Sequence, residues 1–567
     1  MASLTEKIIN GRKYYYARVC KRVNGKPKIV QTHYLGTVEK MIENAHGPKQ
    51  IPRAKEVCIL ELGATAALLD IAQRLQFIEI IDRHCPKRNQ GPSVGQYMLV
   101  AAINRASHPT SKTLLGQWFD QTIGPRLMGI HARELSSQAF WNHMDRLDHQ
   151  SLIKIENDLL LRLIDEFEIS LDCLLYDATN FYTYINTRTE SELAKRGHNK
   201  QKRNDLRQVS LGMMTSSDFH VPLLHMVYGG NITDPTQFGS VIDELVDRYK
   251  HLTEVCPKIT VVFDKGNNSE ANFEAFTNTD MHFVGSLKLN QCPDLLNVRL
   301  NKYRQLRGPS LEEVTAYRSR CKVFAEERTV LMTYNENLLA GQLQGIGRNI
   351  LKCKAELHAL QTKLKRWASG KIRKGRKPTI ESTEKKVQKI LRREYMSEII
   401  IASTTVSEGF PSLQYQIKQT AIARLSKTVL GKTLLFTDND EWTDEQIICA
   451  YRAQYHIEHA FREMKNPHFL GWNPRFHWTD QKIRVHAFYC VAALTLVSLL
   501  RRELAANNRI HLSAEALMEN LCAIRETISV YPQGKNQPPK LSPSISRLTK
   551  MQRTLYNRLD LGRFRLD

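Results

Sequence analysis

The sequence predicts an α/β protein with a helical region ahead of its sheet, on three observations. From about residue 56 to 170, apolar residues recur at the three-to-four spacing of amphipathic helices, as in ATAALLDIAQRL, VGQYMLVAAINRA and SLIKIENDLLLRLIDEF. Near residue 171 the pattern changes to short apolar runs separated by turn residues. Late in the chain an apolar run of 14 residues, AFYCVAALTLVSLL (487–500), is too short to span a bilayer and suits a buried core helix.

The elements follow in order. RKYYYARVCKRVNGKPKIVQTHYLG (12–36) reads as a β-hairpin around Asn24-Gly25, the dipeptide that accepts positive φ at both centres of a type I′ turn. Its cations and Tyr14, Tyr15 and Tyr16 would either grip phosphates or pack the sheet on a neighbour. HGPKQIPR (46–53) reads as a linker. Within the helical region, Ser136-Ser137 would cap the helix through SQAFWNHMDRL. LDCLLYDATNFYTY (171–184) is an apolar strand carrying Asp177 at its polar break. VSLGMMTS and VPLLHMVYGGN (209–231) are two more strands around Ser217-Asp218. KITVVFDKGN (258–267) is a buried strand ending at Asp264, and HFVGSLK (282–288) a fifth. Strands, a helix and another strand suggest a sheet with functional groups at its strand ends.

Residues 291 to about 430 interrupt that pattern. EERTVLMTY and SEIIIASTTV are strand-like and surround a helical section from Ile346 to Tyr395, with Ile346, Ile350, Cys353, Leu357, Leu360, Leu364 and Trp367 at helical spacing. GKIRKGRKP (370–378) breaks it into a helical hairpin with a basic tip. Between Arg348 and Arg393 sixteen Lys or Arg stand against three Glu, over half the chain's excess positive charge, so a DNA contact is expected. GKTLLFTDN is strand-like, Thr443 or Asp444 would cap a helix running to Lys465, and YPQGKNQPPKLSPS (531–544) reads as a linker to a short basic tail.

The totals narrow the partner. The 567 residues imply two to four domains with sizeable cores, and a hydrophobic share of 42% is that of a globular protein. A formal charge of +23 favours a polyanion. The N-terminus lacks the apolar stretch of a secretory signal, so nucleic acid is expected rather than a membrane. Eleven cysteines, scattered and without a CxxC pair, argue against zinc and a disulfide framework and fit a reducing cytosol.

Three carboxylates form a candidate site: Asp177 and Asp264, each ending an apolar strand, and Glu458 in YRAQYHIEHAFREMKN (451–466). Converging, they would hold two hard divalent cations about 3.5–4 Å apart, a clamp for the attacking and leaving oxygens of a phosphodiester. Alone, each has a plainer reading: a turn or cap for an Asp, a surface ion pair with Arg462 for Glu458. Tyr451, Glu458, Arg462 and Lys465 lie at offsets 0, 7, 11 and 14, along one helical face that sets a carboxylate beside cations for phosphates.

Tyr-x2-Gln-x3-Glu-x6-Lys (Tyr451, Gln454, Glu458, Lys465) resembles the Tyr-x2-Arg-x3-Glu-x6-Lys signature of bacterial insertion-sequence transposases of the DDE class, the IS-four-type group. YDATNFYTY is similar to that group's first-aspartate motif and VVFDKGNNSEAN to its second, with RNDLRQVSLGM and GGNITD between them. The resemblance covers roughly 170 to 500. It implies an RNase H-like catalytic core interrupted by a β-rich insertion, consistent with the 194 residues from Asp264 to Glu458. It also implies Asp177, Asp264 and Glu458 as catalytic metal ligands for two Mg²⁺ (or Mn²⁺) ions, and Tyr451 and Lys465 as holders of a DNA phosphate, with Arg462 beside them. The signature's arginine is Gln454 here. Glutamine supplies neither the charge nor the donor fork, so that role is not carried over.

The expected organisation is an N-terminal basic β-hairpin region (1–45), a helical DNA-binding domain (55–170), a catalytic core (171–290 and 430–505), an insertion with the basic helical hairpin (291–429) and a C-terminal tail (506–567). The expected function is cut-and-paste transposition: hydrolysis at terminal inverted repeats, then strand transfer to target DNA, with a hairpin intermediate implied by the resemblance. A homodimer would hold the two ends of double-stranded DNA in the bacterial cytoplasm, at the nucleoid. A metal-dependent nuclease, or a catalytically silent DNA-binding descendant, are the alternatives.

Overall fold

The computed structural model describes residues 2–566 except 24–25, 46–52, 87–89, 198–202, 204, 233–235, 237, 241–242, 245–257, 278–280, 310, 408, 473–476 and 534–536. Two compact units make up the chain: Met1–Leu60 with Arg525–Leu548 and Arg565–Asp567, and Glu61–Ile524 with Thr549–Phe564.

In the first unit the expected hairpin is a three-stranded antiparallel sheet, β1 (Ala2–Ile9), β2 (Arg12–Val23) and β3 (Lys26–Gly36), followed by α1 (Val38–Ala45). The additional strand is joined through Asn10 and Gly11, whose φ values of 46° and 76° suit a tight hairpin. Asn24-Gly25 and most of the 46–53 linker lie outside the described residues, but Val23 opposes Lys26, the register a two-residue loop needs. Tyr14 and Tyr16 both approach Tyr34, with ring centroids 6.1 and 5.2 Å apart. After β4 (Glu56–Glu61) the second unit begins.

Helices α2 (Gly63–Arg74), α3 (Phe77–His84), α4 (Val94–Ser107), α5 (Leu115–Asp120), α6 (Gly124–Met128), α7 (Ser137–Met144) and α8 (His149–Phe167) fill the predicted helical region. Side-chain caps set several starts: Ser93 with Gln96 for α4, Ser136 for α7 and Asp148 for α8.

The strands that follow are β5 (Cys173–Thr183), β6 (Arg207–Ser216), β7 (Pro222–Gly229), β8 (Thr260–Val262) and, after α9 (Glu270–Thr277), β9 (His282–Leu287). Then come β10 (Arg304–Gln305), β11 (Val314–Val323) and β12 (Glu326–Asn335), α10 (Glu336–Ala368), α11 (Ile380–Ile390), β13 (Ile400–Ser407), β14 (Phe410–Ile417), α12 (Gln419–Thr428) and β15 (Lys432–Thr437). One nine-stranded mixed sheet runs in the order β10-β11-β12-β15-β9-β8-β5-β6-β7. β5, β6 and β7 are antiparallel, whereas β5, β8 and β9 are parallel. Residues 291–429 are therefore not wholly a separate insertion. EERTVLMTY joins the main sheet because β12 pairs with β15 from Thr329 to Tyr334, and only residues 336–431 leave it. Those build their own core from Ile346, Cys353, Leu357 and Leu364 against Ile400, Leu413 and Leu425.

A glycine pair explains one motif. Gly230 lies flat on the Gln208 backbone, and Gln208 Nε2 donates to the Gly230 carbonyl at 2.7 Å. A Cβ at Gly230 would overlap the Gln208 carbonyl, so Gly230→Ala should cost about 1–3 kcal/mol, read as a lowered unfolding midpoint with an unchanged m-value.

After α13 (Asp444–Lys465), helix α14 (Asp480–Asn508) contains the 14-residue apolar run. It is long and apolar enough to cross a membrane, but 89% of its most apolar window is buried in the fold, against α2, α4, α8 and β7. Its length alone would mislead; its burial accounts for its composition. Because α14 needs apolar cover on all sides, the N-terminal helices share its core instead of forming a body of their own. The C-terminal stretch is not a loose tail. α15 (Ala514–Cys522) packs on α16 (Lys550–Arg558), and β16 (Arg525–Tyr531) pairs with β17 (Lys540–Ile545) in a sheet completed by β4. The Pro- and Gln-rich composition hid β17: Pro543 sits on an edge strand, where a missing N–H costs no ladder bond.

Candidate active site

The register of three parallel strands builds the site. Leu175 of β5 lies opposite Val262 of β8, and Val262 opposite Val284 of β9. Two residues further along each chain stand Asp177, Asp264 and Ser286. Period two puts them on the same face as the buried Leu175, Val262 and Val284, in one row with neighbours about 4.8 Å apart. Asp177 does not end its strand, contrary to the sequence reading. β5 continues to Thr183 because β6 goes on pairing with it, and Asp177 marks the point just beyond the last β8 partner.

Asp264 does end its strand and caps the short turn Lys265–Asn267. Its Oδ1 accepts from Lys265 N at 2.8 Å, and from Ser286 Oγ and Tyr451 OH at 3.3 Å each. The plainer role of a cap is thus filled by one oxygen, while Oδ2 takes no hydrogen bond among the described residues. Asp177 Oδ1 accepts from Ala178 N at 2.8 Å.

The fourth contributor is α13. Thr443, not Asp444, caps it, in a capping box with Gln446. Ile447, Ile448 and Ala450 pack on Leu175, Val262 and Val284, which fixes the helix over the row. From there it crosses the strand ends. Tyr451 reaches Asp264, the buried Gln454 makes a long 3.5 Å contact to the Tyr176 carbonyl, and Lys465 Nζ donates to Thr179 Oγ1 while standing 5.6 Å from the Phe181 ring centroid. Glu458 lies one turn beyond Gln454 and two turns before Lys465, so it faces the stretch of β5 that carries Asp177. Its carboxylate is exposed and forms no ion pair among the described residues, Arg462 included, so the surface-pair reading fails. Arg462 is exposed on the same face.

Burial pushes the Tyr451 phenol up to about 12, and the charges of Asp264 and Glu458 add to that. The hydroxyl therefore stays protonated near neutral pH and can only donate to an anion. Gln454 is buried, and at such a position a neutral amide costs less to desolvate than a guanidinium.

Asp177 and Asp264 stand on adjacent parallel strands, and Glu458 on the helix that packs over them. Among the described residues, however, no three acidic, histidine or cysteine side chains stand close enough together to hold a metal ion. The donors nonetheless fit hard divalent ions: all are carboxylate oxygens, and neither Asp264 Oδ2 nor Glu458 is neutralised by a described cation. Ser286, Thr179 and Phe181 escaped the sequence reading. Ser286 had a signal, since HFVGSL is a strand parallel to TVVFD and the serine falls level with the aspartate.

Residues 170–496 match the family described as Transposase DDE domain. The chain belongs to the DDE transposase family. Enzymes of this family cut DNA and transfer strands, and generally use divalent metal ions. No curated protein matches this transposase. It is similar to a piggyBac transposase solved by cryo-EM as a synaptic complex with hairpin DNA, at 10% identity and a TM-score of 0.37, over 81% of this chain and 79% of that one.

Proposed function

We propose that this DDE transposase moves a bacterial insertion sequence of the IS-four-type group by cut-and-paste transposition, working at terminal inverted repeats with an RNase H-like core. The observation that carries the reading is the row Asp177, Asp264 and Ser286 faced by Tyr451, Glu458 and Lys465 of one helix. Three antiparallel strands followed by two parallel ones, β7-β6-β5-β8-β9, support the RNase H-like assignment.

Asp177, Asp264 and Glu458 would hold two Mg²⁺ or Mn²⁺ ions, which when bound supply positive charge at the reacting phosphate. The protein's own groups do the rest. Tyr451 donates to a phosphate oxygen, Lys465 holds the strand by charge beside Thr179, and Arg462 meets the flanking backbone. Water attacks the phosphodiester in line and the 3′-oxygen leaves. The freed 3′-hydroxyl then attacks the opposite strand or the target, so one site serves each step by exchanging nucleophiles. The helical region 55–170 is assigned to DNA recognition, and two ends call for a homodimer at the nucleoid.

The test incubates purified protein with a labelled inverted-repeat end, a target plasmid and Mg²⁺. Joined products are expected. Cleavage without joining would replace the reading with a nuclease, and a gel shift without cleavage with a silent binder.

A further inference from the structure

We propose that the hairpin of α10 and α11 is an arm that holds the phosphate backbone of duplex DNA roughly 10 to 19 base pairs from the cleaved bond, without reading sequence. The inference rests on the transposase reading for its partner and on topology for its position. β9 runs parallel to β8; β15 is antiparallel to β9 with Leu434 opposite Leu287, and β12 antiparallel to β15 with Tyr334 opposite Lys432. β12 therefore ends, and α10 begins, at the sheet edge that carries Asp264. The neck is closed there: Asn335 N donates to the Gly431 carbonyl at 2.9 Å and Gly431 N to Gln342 Oε1 at 2.7 Å. Gly431 has φ +76°, and a Cβ on it would press within 2.9 Å of the Tyr334 ring.

Distances follow. β12 lies three strand spacings from β8, about 14 Å. The 33 residues of α10 carry its far end about 50 Å from the neck. The tip is thus between about 36 and 64 Å from Asp264, a reach that at about 3.4 Å per base pair gives the stated interval. The apolar side of α10 packs on its own small core, with Gln361 Nε2 donating to the Leu413 carbonyl at 2.8 Å. Its cations point elsewhere. Of the sixteen Lys and Arg from Arg348 to Arg393, Lys385 pairs with Glu381 and Arg393 with Glu356; the other fourteen have no acidic partner among the described residues. Lys371, Arg373, Lys374 and Arg376 at the tip are all exposed. Unneutralised charge strung along two helices matches an extended polyanion rather than a compact acidic patch.

The test compares wild type with a variant carrying Lys371→Gln, Arg373→Gln, Lys374→Gln and Arg376→Gln. Binding is measured against salt for a 40-base-pair inverted-repeat end, a 40-base-pair random duplex, a 12-base-pair duplex centred on the cut, and phosphatidylserine vesicles. On both long duplexes the slope of log K against log salt should shrink by about 3 to 4 in the variant, with no change on the short one. Arg373→Lys with Arg376→Lys should keep the wild-type slope. An unchanged slope on long duplexes, an equal loss on the short one, a loss confined to the inverted repeat, or a variant effect confined to vesicles would each overturn the proposal. A hydroxyl-radical footprint of the wild type is independent of any folding defect in the variant: protection is expected 10 to 19 base pairs from the cut, and its absence refutes the arm. If no joined products form but these results hold, the arm stands and the transposition reading falls.

Discussion

Asp264→Ala should lower cleavage and joining at an inverted-repeat end by about a thousandfold while leaving the gel shift intact. Asp264 stands between the other members of its row. Its Oδ1 is held by the Lys265 amide, Ser286 and Tyr451, which leaves Oδ2 for a hard cation. Losing a ligand that concentrates positive charge at a phosphodiester forfeits several kcal/mol in the transition state, and about 4 kcal/mol is a factor of a thousand. Alanine removes only a short turn cap, worth about 1 kcal/mol, so the fold and its basic surfaces remain to bind DNA. Single-turnover cleavage under saturating protein measures the loss. Full-rate cutting by the variant would remove Asp264 from the site.

The second large effect concerns acid. His220, His477 and His486 are buried, and burial holds each imidazole neutral: His220 is pushed down to about 3, the other two well below the usual value. Neighbouring charge adds to this, from His456 and Arg501 at His220 and from Lys112, Arg105 and Lys482 at His477. His486 is fully enclosed between Tyr489 and the Trp472 carbonyl, and Lys112 Nζ lies 2.7 Å from His477 Nε2. The unfolded chain takes up these protons near pH 6.5 and the folded chain does not, so stability present above pH 6.5 is lost as the pH falls. His149, His456 and His459, also lowered by burial, act the same way, whereas two groups oppose them: His282, raised by its hydrogen bond to Asp438, and Glu463. Burial raises the Glu463 carboxyl to about 7, so between 4.5 and 7 the folded state holds a proton that the unfolded state has released. The lowered imidazoles outnumber the two raised groups, so the unfolded state binds more protons and stability falls from pH 6 to 5. Urea midpoints at pH 7, 6 and 5 should fall accordingly, and less steeply in a His477→Gln, His486→Gln variant. Flat midpoints would show that these rings are solvated.

What the residues disclose by themselves and what the folded chain adds divide along a physical line. Local periodicity is covalent information, so β5, β6, β7, β9 and the helices of 63–167 were legible, as were the capping of α7 by Ser136 and the break at 370–378. The family motifs named Asp177, Asp264, Tyr451, Glu458 and Lys465 because chemistry of this kind needs those side chains at those offsets. Register is different. That Asp177, Asp264 and Ser286 form one row depends on which strands pair, a choice made by burial of Leu175, Val262 and Val284 beneath α13. EERTVLMTY read as part of an insertion because its partner, β15, lies about a hundred residues away. The helical region looked independent because nothing local reveals that α14 must bury every side of itself. Composition likewise counted the cations of residues 348–393, but only the folded chain decided that most of them meet no described carboxylate and that the neck opens at the edge carrying the aspartates. Sequence determines which groups are present and the local shape of each segment; long-range burial decides which of them meet.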